Sequence, residues 1–149
     1  LIGCKEIPTT GLSNWDGKLD ALKSIYLPDI TRIGVEGLAY CVFLEEINTP
    51  NVTSIHENAF GGCTNLQKIT FGELTEVKGL SHDYNGILDP EVNTERINLV
   101  LSENQKVMTK NRQGNEYFWT PTKEYYKGSV EYGSTSFLEY KFNSVSFKK

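Results

Sequence analysis

This chain contains few of the residues on which enzymes and nucleic-acid-binding proteins depend. Its 149 residues include two histidines, three cysteines and no basic run longer than Lys148-Lys149, and its formal net charge at pH 7 is -4. An acidic chain without a basic patch is a poor partner for nucleic acid. It also lacks a Gly-rich phosphate loop, a nucleophile elbow and a Cys-x-x-Cys pair, so we expect no enzyme activity and no cofactor.

Long hydrophobic runs are absent as well. No stretch approaches the roughly 18 consecutive apolar residues that a membrane-spanning helix requires, and the mean hydropathy is negative. The length is that of one domain, and we expect a monomer. Because the chain begins with Leu1 and not with methionine, we expect a mature product or an excised fragment whose upstream segment has been removed, and any export signal would lie in that segment.

The residues that are present follow a period of 22. Three segments align without a gap, residues 22–43, 44–65 and the shorter 66–80. Apolar side chains recur at four phases of this period: Leu22, Leu44 and Leu66; Ile25, Ile47 and Ile69; Ile30, Val52 and Leu74; Ile33, Ile55 and Val77. Such a pattern indicates a solenoid, in which each unit buries its apolar face against its neighbours.

The first part of each unit is predicted to be a half-buried strand. In the first unit Ile25 and Leu27 lie on one side of an extended segment, and Ser24 and Tyr26 lie on the other. Pro28 ends this strand, because proline has no amide hydrogen to continue a sheet ladder.

The rest of each unit is expected to close the coil. A second extended piece at residues 30–33 is echoed at 52–55 and 74–77. After it, residues 35–40 and 57–62 each contain a large apolar residue followed by small residues where the chain turns back. We expect single helical turns there.

The pattern L-x-x-I-x-x-P-x-[IV]-T-x-I-x-x-x-[GA]-[LF]-x-x-C, clearest over residues 44–63, resembles the BspA-like, or Treponema pallidum type, leucine-rich repeat. The resemblance covers residues 22–80. It implies an α/β solenoid, a short right-handed coil with a β-sheet face and short helical turns on the other side. It also implies a secreted or cell-surface protein of Bacteroides-like bacteria that serves adhesion.

Residues 1–21 admit more than one interpretation. They are either an N-terminal cap, in which Trp15 with Leu12 and Leu19 covers the first unit on a loop and short helix, or the remnant of an earlier repeat. The first four residues resemble a lipobox, in which Cys4 would carry a lipid anchor. They equally resemble the closing turn of an earlier repeat, such as residues 60–63.

Residues 81–149 are predicted to form an elaborated C-terminal cap. Residues 96–101 alternate apolar and polar side chains and favour another strand. Ser102 and Gln105 have the spacing of a capping box, which predicts a short helix to about residue 108. Residues 142–147 match 66–71 in spacing, so we expect the chain to return as a final strand of the same sheet.

The cap is rich in aromatic residues. Ten of the seventeen aromatic side chains lie in the last 33 residues, and they either pack over the last repeat or present rings to a sugar. The candidate carbohydrate-binding residues are Tyr117, Trp119, Tyr125 and Tyr126. The order of motifs in this segment is similar to the C-terminal end of leucine-rich repeat surface proteins from gut Bacteroides.

The outward side chains of the predicted sheet form two columns across successive strands. The first contains Ser24, Glu46 and Lys68, and the second contains Tyr26, Asn48 and Thr70. We expect a noncatalytic interaction domain that binds a protein or matrix component through these columns. The alternatives are carbohydrate binding by the aromatic segment and a structural spacer.

The cysteines and histidines are predicted to be structural. Cys41 and Cys63 share a repeat phase, so they would stack about 4.8 Å apart as a free-thiol ladder or a disulfide. His56 replaces Gly34 and is predicted at a surface turn. His82 lies in a polar stretch without metal-ligand spacing, which we interpret as a solvated loop.

Overall fold

Short β-strands make up almost all of the regular structure. The computed structural model describes residues 3–79, 86–88, 90–114, 116–118 and 135–149. The strands are β1 (Glu6–Ile7), β2 (Ser24–Tyr26), β3 (Arg32–Ile33), β4 (Glu46–Thr49), β5 (Ser54–Ile55), β6 (Lys68–Phe71), β7 (Glu76–Lys78), β8 (Asn98–Ser102), β9 (Thr109–Lys110), β10 (Glu116–Phe118), β11 (Ser136–Phe137), β12 (Tyr140–Lys141) and β13 (Ser144–Lys148). Within those ranges the only helix is a 3-10 turn at Thr94–Arg96.

The first strands of the repeat units form a five-stranded parallel sheet, called sheet 1 here. Its order is β13-β8-β6-β4-β2. Neighbouring strands pair in the register of the 22-residue period, Ile25 with Ile47 and Ile47 with Ile69. The register continues through Leu99 to Val145.

The second strands form sheet 2, with the order β1-β3-β5-β7-β10-β9. Strands β1, β3, β5 and β7 are parallel, with Ile7, Ile33, Ile55 and Val77 in one register. Strand β10 then pairs antiparallel with β7, and β9 pairs antiparallel with β10. The parallel stacking of rungs in sheet 2 therefore ends at β7.

The repeated apolar phases form one hydrophobic core between the sheets. Ile47, Ile69 and Leu99 in sheet 1 and Ile33 and Ile55 in sheet 2 have no exposed surface. This burial and the parallel pairing agree with the predicted solenoid, in which each rung covers the next.

A threonine at one phase of the repeat reinforces the stacking of rungs. Thr31, Thr53 and Thr75 each donate both the backbone N–H and the side-chain hydroxyl to a carbonyl of the preceding rung. The acceptors are the carbonyl oxygens of Lys5, Thr31 and Thr53, at 2.7 to 3.3 Å. The consensus threonine thus adds a second hydrogen bond at each step of the coil.

The closing segments of the units are turns and not the helical turns predicted above. Glu36 and Asn58 have φ of 53° and 54°, a left-handed conformation that a right-handed helix excludes. Their amides and the one at Leu38 bond to the next rung instead of back along the chain, for example Leu38 N to Ala59 O at 2.8 Å.

The N-terminal segment stacks on the first unit as half of a rung. Strand β1 pairs in parallel with β3, and Thr10 repeats the positive φ of Glu36, at 56°. In this register Cys4 aligns with Ile30. The predicted comparison of the first four residues with the closing turn at 60–63 would align Cys4 with Cys63 instead, so it does not agree with the observed register. Leu1 and Ile2 lie outside the described residues.

In the segment predicted to be an N-terminal cap, Leu12 and Leu19 pack against the core, but the short helix is absent. Residues 16–21 form turns and not a short helix. The Trp15 side chain is 61% exposed and its ring lies 3.9 Å from that of Tyr40. Leu22 and Ile25 remain half-buried, so Trp15 does not cover the first rung of sheet 1.

The C-terminal segment contributes two strands to sheet 1. Strand β8 pairs with β6, and β13 pairs with β8 with Ser144 opposite Asn98. The alignment of residues 142–147 with 66–71 has this same register. The helix predicted after Ser102 is absent, because Gln105 is fully buried in a turn and its side chain bonds to another rung.

Cys41 and Cys63, at the shared repeat phase, are buried thiols. The Cys63 thiol donates to Leu38 O at 3.1 Å, and the Cys41 thiol to Leu12 O at 3.5 Å. The neighbouring Cys63 thiol lowers the pKa of Cys41, whereas burial acts in the opposite direction. The arrangement is the free-thiol ladder rather than the disulfide.

Candidate binding surface

The two predicted columns lie in register on the outward side of sheet 1. Ser24, Glu46 and Lys68 are direct strand neighbours, and so are Tyr26, Asn48 and Thr70. Alternation of side chains along a strand turns the intervening isoleucines into the core and these residues outward. The five strands, about 4.8 Å apart, make this face roughly 20 Å wide.

Strands β8 and β13 extend both columns beyond the sequence prediction. Asn98 and Ser144 continue the first column, and Val100 and Ser146 continue the second. The Asn143 amide and the Ser144 hydroxyl both donate to Asn98 Oδ1, at 2.7 and 2.8 Å. The two C-terminal strands are therefore tied to each other on the outward side as well as through the core.

The exposed groups of this face are mixed in chemistry. Tyr26 is 64% exposed at the open edge of the sheet. Glu46 and Lys68 form an ion pair at 3.7 Å, with about half of each side chain exposed. A pair this exposed contributes little to stability, so both groups are available to a partner.

The middle of the second column is less accessible than expected. Thr70 is only 3% exposed. A binding residue must be accessible to its partner, and Thr70 is not. Asn48 is partly covered, and its Oδ1 is shielded from solvent without a hydrogen-bond partner.

The aromatic C-terminal segment is structural where the chain is described. Tyr117 is 5% exposed, its hydroxyl donates to Glu139 Oε2 at 2.9 Å, and the Lys110 ammonium lies 5.8 Å from its ring centroid. Its ring is thus not free to stack on a sugar. Trp119, Tyr125 and Tyr126 lie outside the described residues.

Other aromatic side chains of this segment anchor loops. Tyr140 is buried, and its hydroxyl donates to Leu88 O at 2.9 Å and accepts from Leu88 N at 3.2 Å. Phe137 and Phe142 are also buried. Among the aromatic residues described here, Phe118 is the exposed member of the segment, at 38%.

A polar network on sheet 2 was missed by the sequence reasoning. Arg32 donates to Glu6 Oε2 at 2.9 Å and its other terminal nitrogen lies 3.4 Å from His56 Nδ1. His56 Nε2 lies 3.5 Å from Glu76 Oε1, which also accepts from Ser54 at 3.0 Å. The signal was available, because Arg32, Ser54 and Glu76 share one repeat phase.

His56 is only 8% exposed, so its prediction as a surface turn residue was wrong. Burial lowers its pKa from the ordinary 6.5, and the charges of Arg32 and Lys78 lower it further, against the opposing Glu76 and Glu57. A neutral ring fits the contacts, since Nδ1 can accept from Arg32 while Nε2–H donates to Glu76.

The described part of the chain offers no metal-binding constellation. No group of three or more His, Cys, Asp or Glu side chains that could hold a metal ion occurs there. His82 itself lies outside the described residues. No helix in the described part is long and apolar enough to cross a membrane.

Comparison with known proteins places the repeats in a family. The family model described as BspA type leucine rich repeat region (6 copies) matches residues 17–85. No curated protein and no solved structure gave a significant match. The matched residues include β2 to β7, the strands with the 22-residue register described above. Residues 17–85 of this chain are therefore leucine-rich repeats of the BspA type.

Proposed function

We propose that this chain is a noncatalytic interaction domain that binds an extracellular protein or matrix component through the outward face of sheet 1. The observation that carries the proposal is the register of the columns, which brings Tyr26, Glu46 and Lys68 onto one exposed face. Leucine-rich repeat regions of this type serve in general as protein-interaction repeats.

The physical support is preorganisation. Each strand of sheet 1 is held by its neighbours and by apolar side chains that pack below it, so the outward groups lose little freedom on binding. Tyrosine is enriched among residues that dominate binding energy, since it buries a large rigid surface and keeps a polar tip. Glu46 and Lys68 beside it supply charges that orient a partner.

The test measures binding of the chain to a panel of purified matrix and serum proteins by biolayer interferometry. We expect at least one partner whose affinity falls about tenfold in Tyr26→Ala, a loss of about 1.4 kcal/mol, and falls again in Lys68→Glu. The matched control is Lys18→Glu, because Lys18 forms an exposed ion pair with Asp16 away from sheet 1. Absence of any partner, or equal loss in the control, would contradict the proposal.

Carbohydrate binding by the aromatic segment is the second candidate, favoured by the exposed ring of Phe118. It is tested by titrating neutral glycans while recording Trp119 fluorescence in a Trp15→Phe background, which removes the other tryptophan. No change of emission across a broad glycan panel would end this candidate. A structural spacer, the third candidate, predicts that Tyr26→Ala and Lys68→Glu leave every surface phenotype unchanged.

We also propose an extracellular or cell-surface location and a monomeric state, the former because BspA-type repeat proteins are often surface-associated. The proposal does not include a lipid at Cys4. The Cys4 side chain packs against the core and its thiol donates to Glu6 O at 3.0 Å, and a lipid would have to break these contacts.

A further inference from the structure

A third outward column runs along the carboxyl ends of the strands of sheet 1. The pairing that aligns Thr49 with Phe71 and Lys148 with Ser102 places the following residues side by side across the sheet: Pro28, Pro50, Gly72, Ser102 and Lys148. Gly72 is the one position of this column without a side chain.

Gly72 cannot be replaced without moving the backbone. A Cβ at this position would lie 2.7 Å from Val52 O and 2.8 Å from Pro50 O. The chain at Gly72 is pressed against the preceding rung, and a cleft of about 340 Å³ opens above it, with Pro50 and Phe71 among its lining residues. A cleft of this size is within the range of small-ligand sites.

Polar and apolar surface contribute in similar amounts to the lining of the cleft. The polar and charged residues that line it are Asn51, Thr53, Glu73, Ser102, Asn104, Lys148 and Lys149. The Asn51 amide nitrogen donates to Pro28 O at 2.7 Å, which leaves its oxygen as an acceptor. The Ser102 hydroxyl accepts from Asn104 N at 3.2 Å and contacts Glu73 Oε1 at 3.5 Å.

The charged groups of the cleft come from different strands. The backbone positions of Lys148 on β13 and Glu73 after β6 are about 10 Å apart, two strand intervals with β8 between them, and the Glu73 carboxylate reaches over β8 to Ser102. Neither lysine forms an ion pair within 4 Å with any other described residue. One side of the cleft thus offers ammonium groups, and the other side offers a carboxylate and an amide as hydrogen-bond acceptors.

We propose that this cleft binds an acidic saccharide, with the acid group of a sugar at Lys148 and Lys149 and neighbouring hydroxyls donating to Glu73 and Asn51. The ammonium groups supply charge-assisted hydrogen bonds to the acid. The Glu73 carboxylate repels a second acid group and selects hydroxyls on its side.

The experiment is calorimetric titration of the chain with a short oligogalacturonide and with its fully methyl-esterified form, which has the same hydroxyls and no charge. We expect the acid to bind and the ester to bind about tenfold more weakly or not at all, as for loss of a charge-assisted hydrogen bond. Lys148→Gln with Lys149→Gln should weaken binding of the acid by a similar factor. Lys23→Gln with Lys141→Gln removes the same charge elsewhere and should change it by less than about twofold.

Four results would overturn the proposal: no binding of the acid at millimolar concentration, equal binding of the ester, equal loss in the Lys23/Lys141 control, or equally tight competition by a poly-glutamate peptide. Thermal unfolding of each variant verifies that it is folded. Ser102→Ala provides a second probe of the cleft without a change of charge. Tyr26→Ala should leave saccharide binding unchanged. The saccharide site and the proposed protein-binding face are therefore tested independently of each other.

Discussion

The side-chain amide of Gln105 pairs with the backbone of Leu74 as a neighbouring strand would. Leu74 N donates to Gln105 Oε1 at 2.7 Å, and Gln105 Nε2 donates to Leu74 O at 2.9 Å. Gln105 has no exposed surface. One side chain thereby satisfies two backbone groups that lie immediately before β7, where the parallel rungs of sheet 2 end.

Loss of this pairing should destabilise the fold. Gln105→Ala leaves the amide and carbonyl of Leu74 buried without partners, and we expect the free energy of unfolding to fall by about 2 to 4 kcal/mol. Urea denaturation followed by circular dichroism measures this change. Gln113→Ala, at an exposed loop position, is the matched control and should change stability by less than about 0.5 kcal/mol. Equal effects at the two positions would refute the structural role of Gln105.

Stability should decrease as the pH falls through the titration range of His56. Its folded pKa is lowered relative to the ordinary 6.5, so the unfolded chain binds the proton more readily than the folded chain. Protonation therefore favours unfolding, and the contribution of His56 is complete above the unfolded pKa and declines below it. Urea midpoints between about pH 7.5 and 5.5 give the slope.

The variant His56→Gln should flatten that slope, because glutamine does not titrate. It retains a donor and an acceptor for Glu76 and Arg32, so its stability near neutral pH should change less than its pH dependence. A slope that is the same in His56→Gln and in the parent chain would assign the pH dependence to other groups.

Equivalent isoleucines of different rungs should differ in their contribution to stability. Ile47 is fully buried between two rungs, whereas Ile25 at the edge strand β2 is half-buried. We expect Ile47→Ala to cost about 2 to 5 kcal/mol because it leaves a cavity. Ile25→Ala should cost about half as much or less, since less apolar area is removed from water in the folded state. Equal costs would show that the first rung is covered to the same extent as the second.

A methyl group at Gly34 should clash with the N-terminal half-rung. Its Cβ would lie 2.8 Å from Thr9 N and 2.9 Å from Pro8 C, both backbone atoms. We expect Gly34→Ala to reduce the free energy of unfolding by about 1 to 3 kcal/mol, as for other overpacked sites. If thermal unfolding shows no loss, residues 8–9 do not lie against Gly34.

The period of 22 was sufficient to predict everything that depends on contacts between equivalent positions. The pairing of Ile25, Ile47 and Ile69 and the outward columns beside them follow from constant phase, since a solenoid stacks each position on its own copy. The alignment of residues 142–147 with 66–71 likewise has the register of β13, although 46 residues separate Ser144 from Asn98 along the chain.

Contacts between positions that are not equivalent were decided by the tertiary structure. Strand β1 escaped the sequence reasoning because it lies 26 residues before its partner in β3 and has only two residues. Gln105 reaches Leu74 across 31 residues, and Tyr117 is buried because β10 reverses direction against β7. The local spacing of a chain does not encode such distances.

The sequence by itself therefore determined the repeated rungs of this protein, because each rung needs the same apolar side chains to cover its neighbour. The tertiary structure alone decided which side chains become buried where the repetition ends. It also decided that a cleft forms beside Gly72, since that depends on how closely two successive turns approach. The physical reason is that the periodic core is a sum of nearest-neighbour contacts, whereas the ends of the sheets depend on contacts between residues that are distant in the sequence.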